Sequence, residues 1–279
     1  MRMKLAFSTL GCPKWTFDRI LSAAVTHGYD GIEFRGLLDK VDLPETPEFS
    51  PAGVAETRRR LDDAGVGPAC LSSSVSIVQA MGAEVDRKAA IAHTERYLDL
   101  AKEVGAPCIR LFCGEYPTTM PPATALDLAA ESLRVIGDFA RARGVQVAIE
   151  THDAFIRTDQ LMDLIRLTNH PAVNVLWDIH HPYRMMGETV EQSLRHLDGR
   201  IVHTHVKDSV LNQDGEHYTY VLLGRGDVPV REAMTALKAA GYDGYFSLEW
   251  EKRWVPELEE PEEAIPQYAA QMRAWMAEM

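Results

Sequence analysis

What most constrains the fold of this chain is a unit that it repeats. A short apolar, β-branched run ends in one or two polar residues, and an amphipathic stretch closed by glycine follows. The clearest copy lies around residues 147–153, VAIETHD, where Gly144 has just stopped a helical pattern and the apolar run ends abruptly in a carboxylate and an imidazole. Alternate side chains of a strand share a face, so Glu150 and His152 project from the same side of its C-terminal end. The design recurs in VLWDIHH (175–181), IVHTHVKD (201–208) and FSLEWE (246–251). Four strands thereby carry Glu150, Asp178, His205 and Glu249 to one rim.

Taken in order, strands are expected over residues 4–8, 31–34, 68–71, 108–112, 147–150, 173–177, 201–206 and 245–248. Helical spacing fills the intervals. Thr16 caps a helix that carries Phe17, Ile20, Leu21 and Ala24 and ends at Gly28, and Ser50 with Pro51 opens one that buries Val54 and Leu61 and closes at Gly65. Residues 85–104 and 123–143 are long amphipathic stretches stopped by Gly105 and Gly144. Further on, Thr158 caps the helix of Leu161, Leu164 and Ile165, while Val190, Leu194 and Leu197 mark another. Helices follow over 230–240 and 265–276, the last behind the acidic, proline-interrupted segment 256–263. Residues 209–229 read as a long loop, and loops beyond about 12 to 15 residues are more often functional than accidental. This one is expected to cover the site.

Eight alternating units with no linker or composition break predict an α/β protein with a single domain over residues 1–279, a (β/α)8 TIM barrel whose active site lies at the C-terminal ends of its strands. A doubly wound sheet fits less well, because no strand runs into a G-x-G-x-x-G turn and the polar strand ends spread through the whole chain. Gly224-Arg225-Gly226 is too short a glycine signal for a phosphate cradle and reads as a turn. A formal net charge of −12 argues against nucleic acid, whose phosphates need clustered Lys and Arg. No apolar run approaches the roughly 18 residues that span a bilayer. The four cysteines show no C-x-x-C spacing, and MRMKLAF enters a strand without a signal peptide's apolar stretch, so a reducing, cytoplasmic setting is expected.

Oxygen and imidazole ligands without thiolates suit one divalent ion, Mn2+ first, with Mg2+, Co2+ or Zn2+ as alternatives. Each residue has a plainer role open to it. A single strand-end carboxylate is commonly a helix cap or an ion-pair partner, and a single histidine a packed, hydrogen-bonded ring. Four at successive strand ends point to a metal. His203 and His205 share a strand face, and only the later one is near the rim, so His205 is assigned to the metal and His203 to substrate or to supporting contact.

These residues resemble the xylose-isomerase-like barrels known as the sugar phosphate isomerase/epimerase family. The resemblance runs from Gly31-Ile32-Glu33 through Glu150, Asp178 with His181 three residues later, His205 followed by Lys207 and Asp208, to Glu249. It implies that Glu150, Asp178, His205 and Glu249 bind one divalent cation, that the two glutamates move a substrate proton, and that the substrate is a small carbohydrate. Related barrels are often dimers or tetramers, so a homo-oligomer is an expectation too. Proton removal beside a carbonyl creates an enediolate, which a dication stabilises as a Lewis acid. The expected activity is a metal-dependent sugar or sugar phosphate isomerase or epimerase. Substrate contacts are expected from His181, His203, Glu33, Lys207, Arg110 and Arg225, with Trp15, Trp177, Trp250 and Trp254 as apolar walls, although Trp177 suits the core better and the three cations suit ion pairs equally well.

Two features point elsewhere within the same superfamily. After the histidine ligand the chain continues Asp208-Ser209-Val210-Leu211, where ketose epimerases carry a substrate-binding arginine, and the Glu150-Thr151-His152 triplet looks like that of related dehydratases. The alternative is therefore a lyase on a keto sugar or keto acid, with His152 as general acid. A noncatalytic carbohydrate-binding barrel would have no use for four ligands. A DNA-repair endonuclease would need several metals and a basic groove.

Overall fold

The computed structural model describes residues 3–197 and 199–279. Met1, Arg2 and Asp198 lie outside it, and with them the first residues of the segment read for a signal peptide. In chain order the elements are β1 (Lys4–Ser8), α1 (Phe17–Thr26), β2 (Gly31–Phe34), α2 (Val54–Ala64), β3 (Gly67–Ser76), α3 (Glu84–Val104), β4 (Cys108–Phe112), α4 (Pro122–Arg143), β5 (Gln146–Glu150) and α5 (Thr158–Thr168). Then come β6 (Val173–Asp178), α6 (His180–Met186), α7 (Val190–Leu197), β7 (Ile201–Val206), β8 (Asp208–Leu211), β9 (Tyr218–Val221), α8 (Val230–Ala239), β10 (Tyr245–Leu248) and α9 (Pro261–Ala277). Eight strands close in the order β1-β10-β7-β6-β5-β4-β3-β2, every neighbouring pair parallel, while β8 and β9 form a separate antiparallel ribbon. The chain is a single-domain (β/α)8 barrel, as its repeated unit predicts.

The helix signals work where their chemistry is local. Thr16 Oγ1 accepts from Arg19 N at 3.4 Å and starts α1, and α3 and α4 end at Gly105 and Gly144 in left-handed conformation. Thr158 differs: it is the first helical residue, and its hydroxyl donates to the buried Glu188 carboxylate at 2.6 Å instead of capping α5. Helix α9 begins at Pro261 and runs through Pro266. Pro261, at the first helical position, loses little, since the first N–H groups lack partners anyway, whereas Pro266 lies inside the helix and removes one i→i−4 bond. Among the described residues no helix is long and apolar enough to cross a membrane.

A small inner cluster of Cys70, Cys108, Ala148 and Leu176 stands apart from the main core between strands and helices. It marks which strand faces look into the barrel. The two-residue period then carries Ser72, Arg110, Glu150 and Asp178 to the same interior one step nearer the C-terminal ends. The barrel thus changes from apolar to charged along its axis, and every charged group in the upper layer must find a partner.

Two departures from the sequence reading shape that end. Asp178 is followed at once by α6, which the pattern did not signal. The expected loop over 209–229 folds back on itself as the β8–β9 ribbon. Its anchor is Asp208, whose carboxylate accepts from the backbone N–H groups of Ser209, Gly224, Gly226 and Val228 at 2.9 to 3.2 Å. A Cβ on Gly226 would lie 2.1 Å from Asp208 Oδ1, so that position demands glycine. The Gly224-Arg225-Gly226 turn wraps the protein's own carboxylate.

Candidate metal and active site

Each of the four strand-end residues offers one ligand atom, and these atoms lie within 4.8 Å of one another. Glu150, Asp178 and His205 are fully buried and Glu249 nearly so. His205 Nδ1 stands at the centre, 2.9 Å from Glu150 Oε1 and 3.2 Å from Glu249 Oε1. Asp178 Oδ1 accepts from the backbone N–H groups of His180 and His181 at the start of α6, at 2.8 and 3.2 Å. Its other oxygen, Oδ2, makes no hydrogen bond although it is buried. Three carboxylates and one imidazole with an unsatisfied oxygen among them form a donor set that fits a dication of the Mn2+, Mg2+ or Zn2+ kind.

The surrounding groups fix this set. His205 Nε2 faces Glu33 at 3.0 and 3.1 Å, and Glu33 is held in turn by His203 Nε2 at 2.8 Å and Ser72 Oγ at 2.9 Å. A carboxylate on the far nitrogen of a ligating histidine is the usual way to fix its ring and raise its basicity. Arg110 Nη1 donates to Glu150 Oε2 at 2.5 Å, with both side chains buried. Lys207 Nζ, wholly buried, lies 2.8 Å from Asp178 Oδ2, an ion pair without hydrogen-bond geometry, and 2.5 Å from Glu249 Oε2 and 3.0 Å from Glu251 Oε1.

Electrostatics follow from this crowding. Burial would raise the pKa of Glu150, but His205 and Arg110 overcome it and hold the group below the usual carboxylate range. Glu249 is likewise lowered against burial, by His205 and Lys207. Burial disfavours charge on His205 and Lys207, yet the carboxylates around each raise both above their ordinary values. The site carries a surplus of negative charge, which a dication would reduce. Glu251, whose pKa burial raises, belongs to the same network.

Above the set opens a cavity of about 510 Å3 whose lining includes His152, His181, Tyr218, Tyr220 and Glu251. His152 Nδ1 pairs with Asp153 Oδ1 at 2.7 Å, and its ring packs against Phe112 and His181. Burial opposes a charge on His152, whereas the Asp153 bond and the field of Glu150 raise its pKa. His181 is pushed the other way, by burial and by Lys207. Tyr218 and Tyr220, carried by β9, pack against His180 and bring the ribbon to the cavity wall. A second cavity, of about 320 Å3, lies where Met3, Leu5 and Asp30 line the other end of the barrel, and none of Glu150, Asp178, His205 and Glu249 lines it.

The structure thus brings Glu150, Asp178, His205 and Glu249 together, with His152 and His181 on the cavity. Several other expected substrate contacts are placed differently. Glu33 and His203 sit behind His205, both fully buried and bonded to each other. Arg110 and Lys207 are buried in ion pairs with the carboxylates of Glu150 and Glu249. Arg225 is exposed on its turn and does not line the cavity. Trp15, Trp177 and Trp250 are buried in the core, Trp254 is 56% exposed, and none of the four lines the cavity. Sequence reasoning passed over Glu251, Asp153 and Tyr220. Glu251 was available to it, since the period of two that places Glu249 also places Glu251.

A family model described as the xylose isomerase-like TIM barrel matches residues 21–279. The chain is 23% identical over 252 residues to fructoselysine 3-epimerase of Escherichia coli O157:H7, spanning 88% of this chain and 90% of that protein. To 3-dehydroshikimate dehydratase of Pseudomonas putida it is 28% identical over 167 residues, 56% of this chain and 25% of the relative. Among solved structures, that of the IOLI protein with a bound zinc atom superposes with a TM-score of 0.81 at 21% identity, covering 99% of both chains.

Proposed function

The chain belongs to the xylose isomerase-like TIM barrel family, and from that premise we propose that it is a divalent-metal-dependent isomerase or epimerase of a small sugar, acting by proton transfer beside a carbonyl. The observation that carries this reading is the pair of buried glutamates gathered at one imidazole nitrogen, Glu150 at 2.9 Å and Glu249 at 3.2 Å from His205 Nδ1. Glu150, Asp178, His205 and Glu249 would hold the ion, for which Mn2+ is our first choice. Bound there, a dication supplies Lewis-acid stabilisation of the negative charge that develops on the substrate oxygens.

The remaining steps fall to the chain's own side chains. Arg110 fixes Glu150 from behind, whereas Glu249 keeps a small exposed edge of 5%, so Glu249 is the better placed to take the proton and Glu150 to return one from the other side. Lys207 and Arg110 keep both carboxylates ionised. His181, at the start of α6 and 3.3 Å from Asp178 Oδ2, is placed to donate to a substrate hydroxyl or carbonyl oxygen. Tyr218 and Tyr220 offer hydroxyls and an apolar wall to the sugar.

One observation favours a second reading. His152 lines the cavity with Nδ1 tied to Asp153, which leaves its other nitrogen free to protonate a departing hydroxyl, as a dehydratase on a keto sugar or keto acid requires. The matched relatives include both an epimerase and a dehydratase. Incubating the metal-loaded protein with keto sugars and keto acids in D2O, followed by NMR, tests both readings. Deuterium at a carbon beside the carbonyl with an isomeric product supports the first, and an unsaturated product the second. No deuterium uptake with any of them removes proton abstraction as the chemistry of this site.

A further inference from the structure

We propose that the cavity selects its substrate by charge, taking keto sugars whose arm beyond the ligand residues is amino-bearing or neutral and rejecting their phosphorylated and carboxylated counterparts. The inference rests on the proposed reaction for the identity of the reacting end, and the charge selection acts on the other end.

An anionic arm needs a receptor, and the backbone cradles and buried cations at this end of the barrel are already filled by the chain, while Arg225 is exposed on its turn and does not line the cavity. The first N–H groups of α6 would receive a phosphate, but they donate to Asp178 Oδ1. The backbone amides of the Gly224-Arg225-Gly226 turn form a similar cradle, and the Asp208 carboxylate fills it. The cations are committed too. Lys207 is buried among Asp178, Glu249 and Glu251, and Arg110 is buried on Glu150. Arg184 pairs with Asp227 and donates to the Ser209 carbonyl, while Arg35 donates to Ser74 Oγ and the Val41 carbonyl. Among the described residues no lysine or arginine lines the cavity.

Three carboxylates do line it: Glu115, Asp153 and Glu251. Asp153 is paired with His152 and Glu251 with Lys207, but Glu115 is exposed and makes no ion pair among the described residues. Together with Glu33, Glu150, Asp178 and Glu249 they bring seven carboxylates to the site against three permanent cations, Lys207, Arg110 and Arg35. A bound dication reduces that surplus without cancelling it. A phosphate therefore enters a cavity whose lining offers it no lysine or arginine and sets like charges on its wall, whereas an ammonium group meets carboxylates on the open side. Asp178 Oδ2, buried and without a hydrogen bond, marks the floor where the reacting end is held.

The test uses the full-length protein loaded with Mn2+ and two ketoses, D-fructose and D-tagatose, each as the parent, the 6-amino-6-deoxy derivative and the 6-phosphate. Binding is measured by calorimetry and proton exchange by NMR in D2O. Like-charge juxtaposition costs several kcal/mol, so the amino compound is expected to bind about 100-fold or more tightly than the phosphate, with the parent between. Raising the salt from about 10 mM to about 1 M shortens the Debye length from about 30 Å to about 3 Å and should compress that order. Glu115→Gln should reduce the preference for the amino compound, and Glu115→Lys should narrow the penalty on the phosphate by about tenfold. A phosphate that binds as well as its parent overturns the proposal even if exchange is seen. The expected order of binding without exchange keeps the charge selection and removes the reaction on which it was built. If none of the compounds binds, both fall.

Discussion

Replacing Lys207 by methionine removes one positive charge and keeps most of the side chain's volume. The ammonium group lies 2.8, 2.5 and 3.0 Å from three carboxylates, with no exposed surface. At about 3 Å and an effective dielectric constant of about 20, Coulomb's law gives roughly 5 kcal/mol for each pair, an upper bound that the desolvation of the buried ammonium largely offsets. Removing one partner of a buried ion pair costs about 3 to 5 kcal/mol, because the remaining charge is left uncompensated. With three partners the loss should fall at the upper end of that range. Domains are stable by only about 5 to 15 kcal/mol, so Lys207→Met should be marginal when metal is chelated and should melt roughly 10 °C lower. Urea denaturation at pH 7, with and without saturating Mn2+, measures the loss. Asp178 and Glu249 are two of the three stranded carboxylates and also proposed ligands, so a dication should recover at least about half the deficit, and the variant should bind the ion more tightly than the wild type. A deficit equal in both conditions would refute the placement of Lys207 beside the ion's ligands, and no deficit would refute its role as counter-charge.

Asp178→Ala should lose bound metal and activity together, measured by elemental analysis of the purified protein and by turnover; unchanged metal content removes the four-ligand assignment. His152→Ala separates the two reactions. In an isomerase it should weaken binding and leave exchange largely intact, whereas in a dehydratase exchange should persist and elimination fall by about 10² to 10⁴, the usual contribution of a general acid. Near wild-type rates for both exchange and product formation would make His152 structural. Asp208→Ala strips the acceptor from four backbone N–H groups and should destabilise the protein by at least about 3 kcal/mol, given about 1.5 to 3 kcal/mol for each bond to a charged group. Hydrogen exchange should show the loss concentrated in the β8–β9 ribbon.

The barrel was legible in the sequence because its signals are local and repeat eight times. Strands β2, β4, β7 and β10 fall on their expected residues, and Gly105 and Gly144 close α3 and α4 as their position requires. Where the reading fell short, a distant partner decides the local structure. Thr158 has the chemistry of a cap, but Glu188 claims its hydroxyl. Residues 209–229 lack a strong strand pattern at either end. The ribbon forms there because Asp208 draws the amides of three residues 16 to 20 positions later onto one carboxylate. Nothing in the intervening composition states that closure.

The site was legible to the extent that it obeys the strand period. Counting two residues on from each candidate ligand at the ends of β5, β7 and β10 leads from Glu150 to His152, from His205 to Lys207 and from Glu249 to Glu251. His152 and Glu251 reach the cavity, and Lys207 joins the carboxylates beneath it. Counting two back from His205 leads to His203, behind the ligands, where Glu33 joins both imidazoles. Residue type alone made Glu33, Arg110 and Lys207 look like substrate contacts. Depth along the strand and the need of each buried charge for a partner place them against the candidate ligands instead. Strand β6 is the exception. After Asp178 the period of two breaks because α6 starts immediately, and a helix returns the chain to the same side after three residues, so that His181 and not His180 lines the cavity. The D-x-x-H spacing is therefore the mark of a strand that turns directly into a helix, and it encodes α6 where the apolar periodicity around it is silent.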